Sequence, residues 1–304
     1  MDNILITGAT GFLGSNFIKY NSDNYKNIFA ITRGKPSRKK NIIYINLDLT
    51  NSNQVDKFIK NNFIDILLHF AFDHTYNNNE KMIKAISNAA LKNKLNKYVL
   101  ISSISVLQIN NSKIGYGYNK KNDPYSFTKR KVEKIFLKMN EGLNNTKIIY
   151  PTIVYGEGGN WNKFINKCLD AKSFSLPMKG NVKCNYILVD DFSKKLHREI
   201  YTNTKKIIIG GTNGRWIDLY NLLNTNKKPL KIYQTKNLYH DNTTVNFILN
   251  LWQNTLLGFL ANFLLSIYLK MKKRKNKPLS HKKISHISPV FSNRVIHSSN
   301  FEIS

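Results

Sequence analysis

The chain has 304 residues, of which 41% are hydrophobic and 12% aromatic, so it is long and apolar enough for one large domain or two small ones with an ample core. Its formal net charge of +29 comes from lysines spread along the chain, which favours general enrichment in lysine over a specific nucleic-acid footprint. Two cysteines, Cys168 and Cys184, exclude a disulfide framework and a metal site, and they fit a reducing cytoplasm.

The first 156 residues alternate short apolar runs with longer helical patterns. The apolar runs are 3–7, 27–33, 41–48, 65–72, 97–105 and 147–156. The helical patterns are 12–20, 53–62, 81–93 and 126–139. Near-continuous apolar strands between helices indicate a parallel sheet that is covered on both faces. The pattern predicts a doubly wound α/β fold of the Rossmann type, with a dinucleotide-binding domain over residues 1–156.

From residue 157 the pattern is less regular. We predict a helix within 156–171, a strand at 184–191 with a helix after it, a buried strand at 207–211 and a last strand at 227–234. A smaller substrate lobe over 157–304 would account for this irregularity. In that interpretation it is interleaved with the sheet, and residues 184–211 return to the Rossmann core.

The tail differs in character, because residues 247–269 carry no charge and residues 270–277 are strongly basic. A helix over 247–269 would rise roughly 34 Å, enough to cross a bilayer. However, Asn250, Asn254 and Asn262 recur on one side and form a narrow polar stripe. We therefore rank packing against protein first, attachment of 247–277 to an anionic membrane surface second and a true span last.

The glycine-rich loop follows the first predicted strand and opens the first helix. Gly8, Gly11 and Gly14 permit a tight turn, a close approach of backbone amides to a pyrophosphate, and close contact between helix and strand. The helix that follows directs its positive end at the phosphates. The position of the glycines predicts a dinucleotide site.

Two further residues follow the second and third predicted strands, where a dinucleotide fold meets the adenosine. Arg33, with basic neighbours and no carboxylate, favours a 2′-phosphate and hence NADPH over NADH. Asp48 suits a hydrogen bond to the adenine edge, and it also suits a cap on a helix beginning near Thr50.

Tyr125 and Lys129 lie one helical turn apart, so both side chains occupy one helix face. A lysine ammonium near the phenol would lower its pKa and let it act as a general acid or base at an alcohol oxygen. Ser102 and Ser103 end the fifth predicted strand and face the same crevice, where a hydroxyl could hold the reacting oxygen.

These residues resemble the extended short-chain dehydrogenase/reductase family, the NAD(P)-dependent epimerase/dehydratase group. The similar stretches are TGATGFLG (7–14), HFA (69–71), SSISV (102–106), YSFTK (125–129), YPTIVYG (150–156) and YILVDD (186–191). The resemblance implies that Ser103 and Tyr125 are catalytic and that Lys129 activates Tyr125 and binds the coenzyme ribose. Asn79 matches an asparagine of the family only loosely. The coenzyme contacts that the resemblance implies are Gly8, Gly11, Phe12, Leu13, Gly14, Arg33, Asp48, Leu49, Ala71, Tyr125, Lys129 and Pro151.

Departures from the family pattern narrow the chemistry. Members that dehydrate sugars carry an Asp-Glu pair where this chain has Ile104 and Ser105, so the resemblance argues against dehydration. Cys184 stands where many members place an arginine for the substrate pyrophosphate, and Tyr150 replaces a second arginine. These losses weaken the match to a standard nucleotide-sugar site.

The leading expectation is a cytoplasmic, homodimeric NAD(P)-dependent epimerase or keto-reductase of a nucleotide-activated sugar, with no specific nucleic-acid partner and no metal. The N-terminus lacks the basic and apolar regions of a signal peptide. Peripheral attachment at the inner face of the membrane stays open through 247–277. One alternative is an NADPH-dependent reductase of a non-sugar carbonyl, such as a sterol-like or phenolic compound. Another is a catalytically idle dinucleotide-binding module, against which intact Ser103, Tyr125 and Lys129 argue.

Overall fold

The structure, a computed structural model, describes most of the first 224 residues and a short strand beyond them. The described residues are 1–73, 76–110, 113–116, 124–170, 173–176, 181, 183–224 and 231–234. The helix that we predict over 247–269 and the basic stretch 270–277 lie outside them. Among the described residues, no helix combines the length and the apolar character needed to cross a bilayer.

Helices and strands alternate through much of the described chain. The helices are α1 (Phe12–Asn21), α2 (Ser52–Asn61), α3 (Tyr76–Lys92), α4 (Pro124–Met139), α5 (Asn160–Asp170), α6 (Val189–Ile200) and α7 (Trp216–Leu223). The strands are β1 (Asn3–Thr7), β2 (Asn27–Ile31), β3 (Ser37–Lys39), β4 (Ile42–Ile45), β5 (Ile66–His69), β6 (Lys97–Ile101), β7 (Leu107–Asn110), β8 (Lys113–Tyr116), β9 (Thr146–Pro151), β10 (Ile153–Tyr155), β11 (Ser173–Leu176), β12 (Lys183–Leu188), β13 (Lys206–Ile209), β14 (Thr212–Arg215) and β15 (Lys231–Gln234).

The largest sheet has eight strands within the described residues, in the order β13-β9-β6-β5-β1-β2-β4-β3. Neighbouring strands are parallel except for the edge strand β3, which runs antiparallel to β4. The order reverses on either side of β1, so a crevice opens at the carboxyl ends of β1 and β5. The predicted doubly wound parallel sheet is confirmed.

Each face of this sheet has its own core. Leu5 of β1 belongs to the cluster that α2, α3 and α4 cover, with Ile86 and Phe136 as helix contributions. Ile4 and Ile6 point the other way, into the cluster that α1 and α6 cover. Alternate residues of β1 therefore enter opposite cores, which explains why the strand is apolar throughout.

The chain after β9 differs from the single strand that we predict over 147–156. It breaks at Thr152, because β9 pairs with β6 and β13 in the large sheet while β10 pairs with β12 in a three-stranded sheet completed by β14. The chain passes from one sheet to the other at this residue, so the single predicted strand is two strands. Of the stretch 184–211, α6 and β13 join the core of the large sheet, whereas β12 belongs to the smaller sheet.

Candidate active site

The glycine-rich loop joins β1 to α1 at the carboxyl edge of the large sheet. Gly8 has a φ of +67°, and a Cβ there would lie 2.8 Å from the backbone nitrogen of Ala71. A Cβ on Gly14 would lie 2.4 Å from the carbonyl oxygen of Gly8. Position 8 therefore requires glycine for two reasons, its positive φ and the lack of space for a side chain. Position 14 requires glycine because there is no space for a side chain.

The first turn of α1 suits an anion. Gly11 occupies the N-cap position without a side chain to bind the turn's free amides, and the first turn carries no acidic residue. Unsatisfied amides and the helix dipole favour a phosphate at this place. The residues present therefore fit the pyrophosphate of a dinucleotide. Phe12 and Leu13, both half-buried, form the start of the helix.

A second glycine turn, residues 156–159, lies against Phe12. A Cβ on Gly159 would lie 2.8 Å from Cζ of the Phe12 ring, and one on Gly156 would lie 2.7 Å from Val189. The chain after β10 thus packs closely on the start of α1, which ties the smaller sheet to the candidate dinucleotide loop.

The ends of β1 and β5 are joined by a buried hydrogen-bond network. The Thr7 hydroxyl lies 2.8 Å from Nδ1 of His69 and accepts a hydrogen bond of 3.2 Å from the Ala71 amide. Burial, with a smaller contribution from the charge of Lys129, lowers the pKa of His69 to about 3. His69 is therefore neutral at physiological pH, and it joins strand ends rather than exchanging protons.

Tyr125 and Lys129 meet Phe72, the residue after Ala71. The Phe72 and Tyr125 rings stand edge to face with their centroids 5.0 Å apart. The Lys129 ammonium lies 5.0 Å from the centroid of the same Phe72 ring. Both separations suit favourable aromatic and cation–π contacts. Phe72 therefore links the strand beside the glycine loop to the predicted acid/base pair, a contact that sequence reasoning missed because nothing in the spacing signals it.

Lys129 is buried, whereas Tyr125 is 44% exposed. The Lys129 ammonium donates a 2.9 Å hydrogen bond to the carbonyl oxygen of Ile101. Burial lowers the pKa of Lys129 to about 8, and the negative charge of Glu133 opposes this shift. An exposed phenol that shares the Phe72 contact with a buried ammonium can exchange a proton with a ligand.

The two serines after β6 have different surroundings. Ser102 is buried, and its hydroxyl donates a 2.9 Å hydrogen bond to Glu133. Ser103 is half-buried, and its hydroxyl oxygen accepts from the amide and the hydroxyl of Ser105 at 3.2 and 3.0 Å. Within the described residues the Ser103 hydroxyl donates no hydrogen bond, so its proton is available to a ligand oxygen.

Arg33 and Asp48 lie at the carboxyl ends of neighbouring strands, and both are exposed. Arg38 and Lys39 lie on β3, which runs back toward the amino end of β4 and pairs Arg38 with Ile43. These two basic residues therefore lead away from Arg33. The prediction that Asp48 caps the next helix is wrong. Asp48 Oδ1 binds the amide and the hydroxyl of Thr50 in a turn, while Asn51 caps α2, which begins at Ser52.

Three other predicted residues have mainly structural surroundings. Leu49 is buried in the core that α2, α3 and α4 cover. Pro151 ends β9 opposite Ile209 of β13. Asn79 is buried in α3 and binds the amide and the carbonyl of Asp73 at 3.0 and 2.7 Å, so it fixes the loop after β5. Among the predicted residues, close packing brings together Gly8, Gly14 and Ala71, and the Phe72 ring brings together Tyr125 and Lys129.

The sequence of the chain matches a protein family and a curated relative. The family model described as "NAD dependent epimerase/dehydratase family" matches residues 4–207. A curated relative, a dTDP-D-glucose 4,6-dehydratase from Dictyostelium discoideum, is 28% identical over 235 residues, which are 63% of this chain and 54% of the relative. The chain thus spans about half the length of that relative.

Solved structures share the fold at low identity. A UDP-glucose 4-epimerase with UDP-glucose from Thermotoga maritima has a TM-score of 0.59 and 16% identity, covering 77% of this chain and 86% of the other. A dTDP-glucose 4,6-dehydratase with NAD from Bacillus anthracis has a TM-score of 0.63 and 18% identity, covering 78% and 86%. At this identity the likeness supports the fold.

Proposed function

Because the chain belongs to the NAD dependent epimerase/dehydratase family, we propose that it epimerises or reduces a nucleotide-activated sugar with a nicotinamide dinucleotide as coenzyme. One observation carries the proposal: Gly8 abuts Ala71, and the next residue, Phe72, contacts both Tyr125 and Lys129. A loop suited to a pyrophosphate and an acid/base pair therefore adjoin one strand end, as a redox site requires.

Each group of the chain has one task in the proposed mechanism. The coenzyme supplies hydride transfer when it is bound. Tyr125 gives a proton to the substrate oxygen or takes one from it, and the Lys129 charge stabilises the phenolate. Ser103 donates its free hydroxyl proton to the same oxygen. Gly8 and Gly14 keep the loop backbone close enough to hold the pyrophosphate.

Dehydration has less support than epimerisation or reduction. The curated relative is named a dehydratase, yet Ile104 and Ser105 replace the acidic pair that the resemblance associates with that reaction. Ser105 is buried and binds Ser103, and Ile104 has no proton to exchange. Removal of water from a sugar needs an acid and a base beyond Tyr125, and these positions do not offer them.

A non-sugar carbonyl is the second candidate substrate. Cys184, at the position of the expected pyrophosphate arginine, is buried in an apolar cluster with Ile165, Trp216 and Leu219. Without an arginine at this position, the support for a diphosphate is weaker, and an apolar ligand gains support by comparison. We propose that residues 157–304 form the substrate lobe, and that the residues that bind the coenzyme and exchange protons lie within 1–156. We also propose that the enzyme is a dimer.

The substrate class is tested with the full chain, each coenzyme, and a panel of nucleotide sugars and apolar ketones. Reduced-nicotinamide absorbance and product chromatography are read together. Product without net coenzyme consumption is expected for an epimerase, and stoichiometric consumption for a reductase. Turnover of ketones alone would replace the sugar proposal by the second candidate, and turnover of neither class would contradict both.

We propose that NADPH is preferred, on the ground that Arg33 is exposed at the end of β2 with no carboxylate in the loop that follows. Arg33→Ala is expected to weaken NADPH binding at least about tenfold and leave NADH binding unchanged, because a charge-assisted bond to phosphate contributes about 1.5–3 kcal/mol. Fluorescence titration with both coenzymes measures this. Arg38→Ala, on the strand that leads away, is the matched control. Equal losses for both coenzymes would contradict the preference.

A further inference from the structure

Glu133 is a fully buried carboxyl group in the helix that carries Tyr125 and Lys129. It lies four residues after Lys129, so the two side chains share a helix face. Its Oε2 accepts a 2.9 Å hydrogen bond from Ser102, and its Oε1 accepts one of 2.5 Å from Tyr150. Glu133 is 0% exposed, so its donors are supplied by protein and not by solvent.

Three elements converge on this pair. Lys129 of α4 donates to the carbonyl oxygen of Ile101, the last residue of β6, and Ser102, the next residue, donates to Glu133. Tyr150 reaches Glu133 from β9, the neighbouring strand. Lys129 and Glu133, on successive turns of α4, are therefore hydrogen-bonded to Ile101 and Ser102, the two residues that directly precede Ser103. These contacts fix the position of the helix that bears Tyr125 relative to the end of β6, which Ser103 follows.

The charges around Lys129 single out Glu133. The groups that face the ammonium from β5 are His69, which burial keeps neutral, and the Phe72 ring. Tyr150 of β9 is a neutral donor to Glu133. On α3, the Glu80 carboxylate interacts with Lys131 and Lys84, which are different side chains from Lys129. Within the described residues, Glu133 is thus the negative charge that acts on Lys129.

We propose that Glu133 is a positioning residue that keeps the Lys129 side chain charged and fastened to the end of β6, one turn from Tyr125. This rests on the proposed function, in which Lys129 activates Tyr125. A buried charge needs hydrogen bonds and an opposite charge to stabilise it. Ile101 accepts the hydrogen bond from the Lys129 ammonium, and Glu133, one helical turn away, supplies the negative charge. Tyr150, unlike an arginine at that position, donates a hydrogen bond to Glu133 without bringing a positive charge.

The test follows the titration of Lys129 in the full chain by NMR of ¹³Cε-labelled lysine. Lys129→Met assigns the signal. The expected midpoint is near pH 8 in the unaltered chain, and Glu133→Gln is expected to lower it by at least about one pH unit, because removing an opposite charge disfavours the ammonium. Lys147, whose pKa burial also lowers to about 8 and whose neighbouring carboxylate is Glu199, is the internal reference. Its midpoint should not move.

Control variants separate charge from hydrogen bonding. Tyr150→Phe removes one donor and leaves the charge, so the Lys129 midpoint should stay or rise. Glu141→Gln removes an exposed charge just beyond α4 and should change nothing. An unchanged Lys129 midpoint in Glu133→Gln would overturn the proposal.

A double-mutant cycle covers the case in which Glu133→Gln unfolds the chain. In the Lys129→Met background, Glu133→Gln should raise the urea midpoint or leave it unchanged, because it then removes a buried carboxylate that has no counter-charge. Equal losses of urea midpoint in both backgrounds would show that Glu133 acts independently of Lys129, and would overturn the proposal.

The pH dependence of turnover distinguishes failure of the proposed function from failure of the role proposed for Glu133. Turnover should fall as pH rises through the Lys129 pKa, because the charge that stabilises the Tyr125 phenolate is lost, and this limb should move to lower pH in Glu133→Gln. An NMR midpoint that moves while the pH–rate profile does not would support the link between Glu133 and Lys129. It would overturn instead the role of Lys129 in turnover.

Discussion

Tyr125→Phe is expected to lower turnover by about 10²–10⁴-fold, the usual contribution of a positioned acid or base, while the coenzyme dissociation constant stays within about threefold. The substitution removes the phenolic oxygen and keeps the ring. The edge-to-face contact with Phe72, at 5.0 Å between centroids, is therefore retained. Because Tyr125 is 44% exposed, loss of its hydroxyl leaves no large buried defect. The measurement is steady-state turnover beside fluorescence titration of the reduced coenzyme.

Tyr201→Phe is the matched control for that variant. Tyr201 is 45% exposed, and its hydroxyl donates a 3.0 Å hydrogen bond to Asp2, which lies at the amino end of β1, the end opposite to the glycine loop. We expect its turnover to equal that of the unaltered chain. If Tyr125→Phe also turned over normally, the acid/base assignment would be wrong, and a different proton donor would have to be sought.

The second large effect is expected at Gly14. Gly14→Ala would place a Cβ 2.4 Å from the carbonyl oxygen of Gly8, a backbone atom that cannot rotate away. The helix and the loop must separate to relieve this contact, which withdraws the loop amides from the phosphate position. We expect coenzyme affinity to fall by more than about tenfold, corresponding to 1.4 kcal/mol. Calorimetric titration with NADH and NADPH measures the loss.

Gly142→Ala distinguishes steric contact from general strain of the backbone. Gly142 follows α4, has a φ of +80°, and a Cβ there would meet no atom within 4 Å. We expect a cost in stability of about 1 kcal/mol and no change in coenzyme affinity. Coenzyme affinity in Gly14→Ala equal to that of Gly142→Ala would contradict the role of the glycine loop.

Much of the fold could be predicted, because the strands of the large sheet are buried on both faces. β1, with Ile4, Leu5 and Ile6 all 0% exposed, has the continuous apolar pattern that only such a position requires. The short strands β3 and β14 could not be predicted. They are exposed or half-exposed, and their pairing with β4 and β12 rather than their own side chains makes them strands.

The candidate site also contains residues that the sequence predicted and residues that it did not. Gly8 and Gly14 were predicted from their spacing together with their place between the first strand and the first helix, whereas the contact of Gly8 with Ala71 joins residues distant in sequence. Phe72 and Glu133 were missed. Glu133 has a signal, four residues from Lys129 on one helix face, yet that spacing is common in a chain this rich in lysine. Its meaning depends on Ser102 and Tyr150, which are brought to it from two strands.

The sequence by itself determined the doubly wound fold, the place of the glycine loop and the helix face shared by Tyr125 and Lys129, since each depends on residues close together in the chain. Only the tertiary structure decided that Asn51 rather than Asp48 caps α2 and that Phe72 meets the acid/base pair. It also decided that Glu133 is buried and accepts hydrogen bonds from Ser102 and Tyr150. The physical reason is that the contacts of Phe72 and Glu133 join residues that are distant in sequence. The choice between Asp48 and Asn51 depends instead on the backbone of the loop, which places the Asp48 carboxylate in a turn with Thr50.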